Sequence, residues 1–233
     1  MLNYFNTIDE IEAGDIDAVI IPVGSIEQHG SHLPVGTDYL LIKALSEAVA
    51  SRLNAWLLPP LPFSTCYEHK GRCGNIWMRP ITFYQMIQDI VLCLYEQGFK
   101  KIAFMLGHGG VFILGPAVRE LNALHDDLKV IIVSAEYEET MKLLETEKDI
   151  HAGEMETSLM LYLYEEHVKK DLLLQNDFLP ACPQSYLNYT TIPKISPTGV
   201  WGKPSLATKE KGKALFEQLI ACCLAYIEDA FTY

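Results

Sequence analysis

Apolar and polar positions along the chain fall into two kinds of run. Short, nearly unbroken apolar stretches lie at Ala18 to Val23, Trp56 to Leu58, Lys101 to Leu106 and Leu128 to Ser134, which is the length and character of buried strands. Elsewhere apolar residues recur at helical spacing. Leu40, Leu41, Ala44, Leu45 and Ala48 form one face of a helix expected from about Asp38 to Leu53, with Thr37 as its cap. Further helices are expected from Thr82 to about Gln97, closed by Gly98, from Val111 to Leu124, from about Glu136 to Glu147, from Glu154 to Glu166 and from Thr208 to about Ala230. Strand, helix and strand recur at βαβ spacing, which predicts an α/β fold: a mostly parallel central sheet covered by helices on both faces, three layers in all. Leu61 to Pro80 holds too many Gly, Pro and polar residues to be regular. A loop of that length is expected to wall a pocket or make an oligomer contact.

The 233 residues show no linker, so residues 1–233 are read as one domain. With 18 basic against 30 acidic residues the formal charge is -12; such a surface repels phosphate backbones and anionic lipid, and neither nucleic acid nor membrane is an expected partner. The amino-terminal MLNYFNTIDEIEAGD lacks a basic start followed by an apolar run, and no apolar stretch reaches the ~18 residues of a membrane span. A soluble, cytoplasmic protein is expected. Cys66, Cys73, Cys93, Cys182, Cys222 and Cys223 show no paired metal-type spacing and read as free thiols, with Cys93 and Cys222 packed as small hydrophobes in helices.

Polar chemistry gathers where the first strand ends. Glu27 and His29, two apart, project to one side of extended backbone, and Asp38 follows after a turn made by Pro34 and Gly36. Two carboxylates and an imidazole there could form a metal site, and from these three alone could equally be ordinary solvated loop residues. His108 stands between Gly107 and Gly109 directly after the Lys101 to Leu106 strand. In a parallel sheet ligands collect at the carboxyl ends of strands, so these two distant segments can meet. No G-x-S-x-G elbow, P-loop, G-x-G-x-x-G or H-E-x-x-H is present.

The stretch PVGSIEQHGSHLPVGTD resembles the opening motif of the creatininase family of metal-dependent amidohydrolases, and the likeness continues at Gly107 to Gly110 (GHGG), His151 to Ser158 (HAGEMETS) and Gly199 to Gly212 (GVWGKPSLATKEKG). The resemblance implies a creatininase-like fold. It also implies two divalent metal ions: one held by Glu27, Asp38 and His108, the second by His29 and Asp38, with Asp38 bridging. Mixed imidazole and carboxylate ligands suit zinc, manganese or iron. By the same likeness His151 and Glu156 are the candidates for general acid/base work, and the protein is expected to be a homo-oligomer, a hexamer or similar ring. The reaction implied is hydrolysis of a C–N amide bond in a small molecule, a cyclic amide or a formamide. Creatinine itself is disfavoured, because Glu147 to Ile150 precede His151 where creatininase proper carries a pocket tryptophan.

There are departures. Creatininase proper has a glutamate ligand of the second metal two residues beyond the histidine, where this chain has Gly110, and Leu106 and Val111 replace asparagines found in many relatives. Glu156 or Glu154 could supply the missing ligand; either could also be only an acidic residue at a helix start. The alternative reading is therefore a non-catalytic binding or assembly protein that keeps the fold with one metal or none. His32, His69, His125 and His167 are read as ordinary residues, with His32 the exception that could support a ligand from behind. Trp77 and Trp201 could line a pocket, but aromatic residues in irregular stretches are more often core or interface.

Overall fold

The computed structural model describes residues 1–134 and 137–233. Five strands form one sheet: β1 (Leu2–Asn3), β2 (Ala18–Val23), β3 (Ala55–Leu57), β4 (Lys101–Leu106) and β5 (Lys129–Val133), in the order β1-β3-β2-β4-β5. All neighbours are parallel. The helices are α1 (Ile8–Glu12), α2 (Thr37–Ala50), α3 (Pro80–Glu96), α4 (Leu114–Leu124), α5 (Glu138–Met141), α6 (Glu154–Leu163), α7 (Leu173–Asn176), α8 (Ile192–Ile195) and α9 (Lys209–Ala230).

Alternation along the strands divides the core. Val19, Ile21, Val23, Ile102, Phe104 and Val130 pack on one side with Phe83, Ile87 and Val91 of α3 and Leu114, Ala117 and Leu121 of α4. Ile20, Ala103, Met105, Ile131 and Val133 pack on the other with Ile42, Leu45 and Val49 of α2, Leu159 of α6 and Leu215, Leu219 and Cys223 of α9. The result is the expected three-layer α/β/α arrangement, in which both faces of the central strands are apolar because both are covered. Among the described residues no helix is long and apolar enough to cross a membrane.

Several local expectations need correction. Thr37 does not cap α2: its hydroxyl donates to Pro34 O at 2.7 Å, and Gly36 is the capping residue. Pro80 opens α3 two residues before Thr82, since a proline at the first helical position gives up no internal bond. Gly98, at φ +97°, then turns the chain out of α3 as expected. The helix expected from Glu136 to Glu147 is reduced to the single turn Glu138–Met141, and Glu136 itself lies outside the described residues. Helix α6 ends at Leu163, where the chain tightens into a 3-10 turn at Glu165–His167. Cys93 is exposed and Cys222 half-exposed, whereas Cys223 is buried against the sheet; all six thiols are free.

The edge strand β5 is closed by a side chain. Asn122 of α4 donates to Val130 O at 2.8 Å and accepts from Val130 N at 2.7 Å, which satisfies backbone groups an edge strand otherwise offers to a stray partner. Asn122→Ala is expected to cost about 1–3 kcal/mol, the penalty for leaving buried backbone polar groups unpaired. Urea unfolding measures it, and an unchanged midpoint would show that water replaces the amide without loss.

Candidate metal centre

Strand order reverses beside β2: the chain leaves β2 toward β3 and leaves β4 toward β5. Ligands bind in such sheets in the crevice at the carboxyl ends of the two diverging strands. The segment after β2 carries Glu27 and His29, the turn after β4 carries His108, and the first turn of α2 carries Asp38. Gly107 makes their meeting possible, for a Cβ there would stand 2.6 Å from Ile42 Cβ and 2.8 Å from Asp38 O. Without a side chain at that position, β4 ends hard against α2 and His108 arrives beside Asp38.

All four expected metal residues are buried, Glu27 and His29 completely. His108 Nδ1 lies 3.2 Å from Glu27 Oε2 and 3.3 Å from Asp38 Oδ2, while His29 Nε2 lies 2.9 Å from Asp38 Oδ1. Asp38 thus divides its two oxygens between two imidazoles. Ser25 Oγ donates to Glu27 Oε2 at 2.7 Å and fixes that carboxylate. Glu27 Oε1 and Asp38 Oδ2 remain buried without a well-aligned donor. Ligand atoms of three overlapping sets lie within 4.8 Å of one another and could hold a metal: Glu27, Asp38 and His108; His29, His151 and Glu156; and Glu27, His69 and His151.

The expected acid/base pair is close by. Ile150 N and His151 N donate to Trp201 O, and Trp201 N donates to His151 O at 2.9 Å, so Trp201 is a core residue whose backbone clamps the histidine rather than a pocket wall. His151 Nε2 donates to Gln28 O at 2.7 Å, which leaves Nδ1 bare and 3.8 Å from Glu27 Oε1. Glu156 Oε2 lies 3.8 Å from His29 Nε2 and accepts from Ala152 N at 2.5 Å. Ala152 is buried at φ 51°, a left-handed conformation costly for a residue with a side chain. It aims that N–H at Glu156. Asp149 binds the N–H groups of Glu154 and Met155 at 2.8 Å each and holds the start of α6 in place.

Glu154 turns away from the centre. Its carboxylate accepts from Thr146 N and Thr146 Oγ1, both at 2.8 Å, and pairs with Lys211, so it ties the chain before α6 to α9 and offers nothing to a metal. His32, buried behind α6, meets Thr157 Oγ1 at 3.1 Å; His125 and His167 lie outside the centre. His69 is the residue the sequence reading passed over. It is buried, with Nε2 3.0 Å from Glu27 Oε1 and Nδ1 3.1 Å from Gln28 Nε2. Its signal was an acidic residue and a histidine, Glu68 and His69, in the middle of a long loop of a compact fold. That loop is bound to the centre, with Ile76 N donating to Ile26 O and Gln28 N to Asn75 Oδ1 at 2.6 Å.

Charge in the cluster is tightly coupled. Burial alone would depress His29, but Asp38 above all, then Glu156 and Glu27, push it up to about 10. Burial opposes His108 in the same way, and the charge of Glu27 with bonds to Asp38, Glu27 and Glu68 holds it well above the ordinary imidazole value. Glu27 shows the reverse: burial would raise it, and His108 and His69 hold it well below the usual carboxylate range. His151 is driven well below its ordinary value by burial and by His69 and His29. Burial pushes Glu156 up to about 7, against the pull of His29. A cavity of about 1320 Å³ opens from this cluster, bounded by Tyr67, His69, Asp149, His151 and Glu156 and, away from the polar groups, by Leu41, Leu45, Leu159 and Phe216. Trp77 stands behind this wall with its ring 5.9 Å from that of Tyr67.

The sequence profile of the Creatininase family, creatinine amidohydrolase, matches residues 6–227. The chain is 32% identical to the creatinine amidohydrolase of Pseudomonas putida over 94% of its own length and 90% of that protein's. It is 30% identical to the mycofactocin precursor peptide peptidase of Mycobacterium ulcerans (strain Agy99), over 90% and 84%, and 26% identical to the 3-dehydro-scyllo-inosose hydrolase of Thermotoga maritima, over 88% and 74%. Among solved structures, creatininase Mn superposes with a TM-score of 0.84 at 25% identity, covering 99% of this chain and 98% of that one. A variant creatininase of the Zn-Zn type superposes with a TM-score of 0.81 at 26% identity, covering 98% of each chain. The family profile spans nearly the whole sequence, and the chain belongs to the creatininase family.

Proposed function

We propose that the protein is a metal-dependent amidohydrolase that cleaves a C–N amide bond of a non-peptide small molecule, a cyclic amide or a formamide, in one domain spanning the chain. The observation that carries the reading is the pair of buried carboxylates, Glu27 and Asp38, each with an oxygen lacking a well-aligned donor, facing the imidazoles of His108 and His29. Buried anions of this kind need a cation, and the nitrogen and oxygen donors fit zinc, manganese or iron. Glu27, Asp38 and His108 would hold one ion, and His29 with Asp38 a second, to which Glu156 could add the carboxylate that Gly110 does not provide. When bound, such ions supply Lewis acidity and a water acidic enough to react near neutral pH.

The chain's own groups do the rest. Glu156, made more basic than an ordinary carboxylate by burial, can take the proton of the attacking water as it adds to the amide carbon. Collapse of the tetrahedral adduct breaks the C–N bond, and the proton passes to the leaving nitrogen from Glu156 or by way of His151, whose bare Nδ1 and low basicity suit rapid exchange. The apolar wall of Leu41, Leu45, Leu159 and Phe216 would exclude water from the far side of the substrate. A peptide substrate is the second reading, favoured by the likeness to a precursor peptide peptidase and by a cavity larger than a single small ring fills. The free thiols suit a reducing cytoplasm.

Three outcomes test the reading. Glu156→Gln is expected to lower amide hydrolysis ~10²- to 10⁴-fold, the usual cost of losing an acid/base group, with metal content retained; loss of about one equivalent of metal as well would identify Glu156 as a ligand. Asp38→Ala should lose more metal to a competing chelator than His29→Ala, because Asp38 faces both sets. Metal uptake should release protons, since His29 and His108 are protonated in the metal-free protein and must be neutral to coordinate. Affinity is therefore expected to climb from pH 6 to pH 8, and calorimetry in buffers of different ionisation enthalpy counts the protons. A flat profile would mean that neither imidazole is a ligand.

A further inference from the structure

The loop between β3 and α3 brings a second residue to the centre that the proposed chemistry does not use. Glu68 Oε1 lies 3.0 Å from His108 Nε2, the ring nitrogen opposite the Nδ1 that faces Glu27 and Asp38. A Cβ on Gly110 would stand 1.7 Å from that same Oε1, 2.7 Å from the Glu68 carboxyl carbon and 2.4 Å from His108 Nε2. The room a side chain at position 110 would need is therefore taken by the Glu68 carboxylate. Thr65, from the same loop, binds this turn twice, its hydroxyl donating to Gly110 O at 2.9 Å and its carbonyl accepting from His108 Nε2 at 3.0 Å.

We propose that Glu68 is a positioning residue of the metal centre: its carboxylate, seated in the space left by Gly110, shares the Nε2–H of His108 with Thr65 O and so presents Nδ1 to the ion. A histidine ligand needs its other nitrogen bonded to fix the ring and the tautomer, and a carboxylate there also makes the ligand more basic. Thr65 O alone could orient the ring, but it is neutral and adds no such charge. The absence of a side chain at 110 is then not a gap in the centre. It is the condition for a carboxylate to reach His108 from across the crevice. The assignment rests on the reading that Glu27, Asp38 and His108 hold a metal, and Glu68 acts on the ion through His108 alone.

Chelator competition with zinc, together with the visible spectrum of the cobalt-substituted protein, tests this on the full chain, its Glu68→Ala variant and its Glu68→Gln variant. Glu68→Ala is expected to bind zinc ~10- to 100-fold more weakly, the range for lost outer partners of a metal ligand, and to shift the cobalt bands. Glu68→Gln, equal in size and still an acceptor but uncharged, is expected to fall between Glu68→Ala and the unaltered protein. A side chain that served only to fill the loop would be replaced by glutamine with no change in affinity or spectrum. Affinity and cobalt bands equal to the unaltered protein in Glu68→Ala, or in Glu68→Gln should the alanine variant not fold, would overturn the assignment and leave the metal reading intact. An unaltered protein that takes up neither zinc nor cobalt would overturn both.

Discussion

Glu27 and Asp38 take two carboxylates out of water at the point where the sheet changes direction, and a charge at that depth persists only if opposite charge is brought to it. The surroundings answer that demand from separate parts of the chain. The turn after β4 sends His108, the segment after β2 sends His29, the long loop sends His69, and α6 is so placed that Glu156 and His151 complete the ring of donors. The apolar layers hold these parts in register, but the layers by themselves would be indifferent to where the polar groups fall. The buried anions make one arrangement of the crevice much better than its neighbours.

The same coupling explains why two neighbouring carboxylates behave differently. Glu27 is hemmed in by imidazoles and stays ionised, while Glu156, partly buried with Asp38 close and one imidazole at 3.8 Å, is lifted toward neutrality. Neighbouring carboxylates pushed apart in basicity are what the acid/base role proposed for Glu156 requires. Glu154, two residues away, is the counterexample: Lys211 and the Thr146 donors hold it ionised, and it serves as a brace.

Much of this was legible in the chain. The apolar runs at Ala18 to Val23 and Lys101 to Leu106 sit in the central pair of strands, and an expectation built on parallel-sheet geometry correctly brought Glu27, His29 and His108 together. What could not be read depended on contacts across sequence. His69 looked like any loop histidine because nothing local records that its loop folds back along Ile26 to Gln28. Thr37 had the right chemistry for a cap but found Pro34 O instead, and no local pattern records that the backbone of Trp201 pairs with His151. Gly110 read as a loss for the same reason, since the carboxylate that fills its space is forty-two positions earlier in the chain.

Trp201 is bridged to His151, and Ile26 to Ile76 in the loop of His69, so each of these two donors hangs from a backbone bridge. The cavity leaves one side of the donors open, but the backbone that carries them moves only when a bridge opens, and such openings are local unfolding events whose frequency is set by the bonds they break. The spacing of the donors is therefore set by these bridges more than by whatever occupies the space between them.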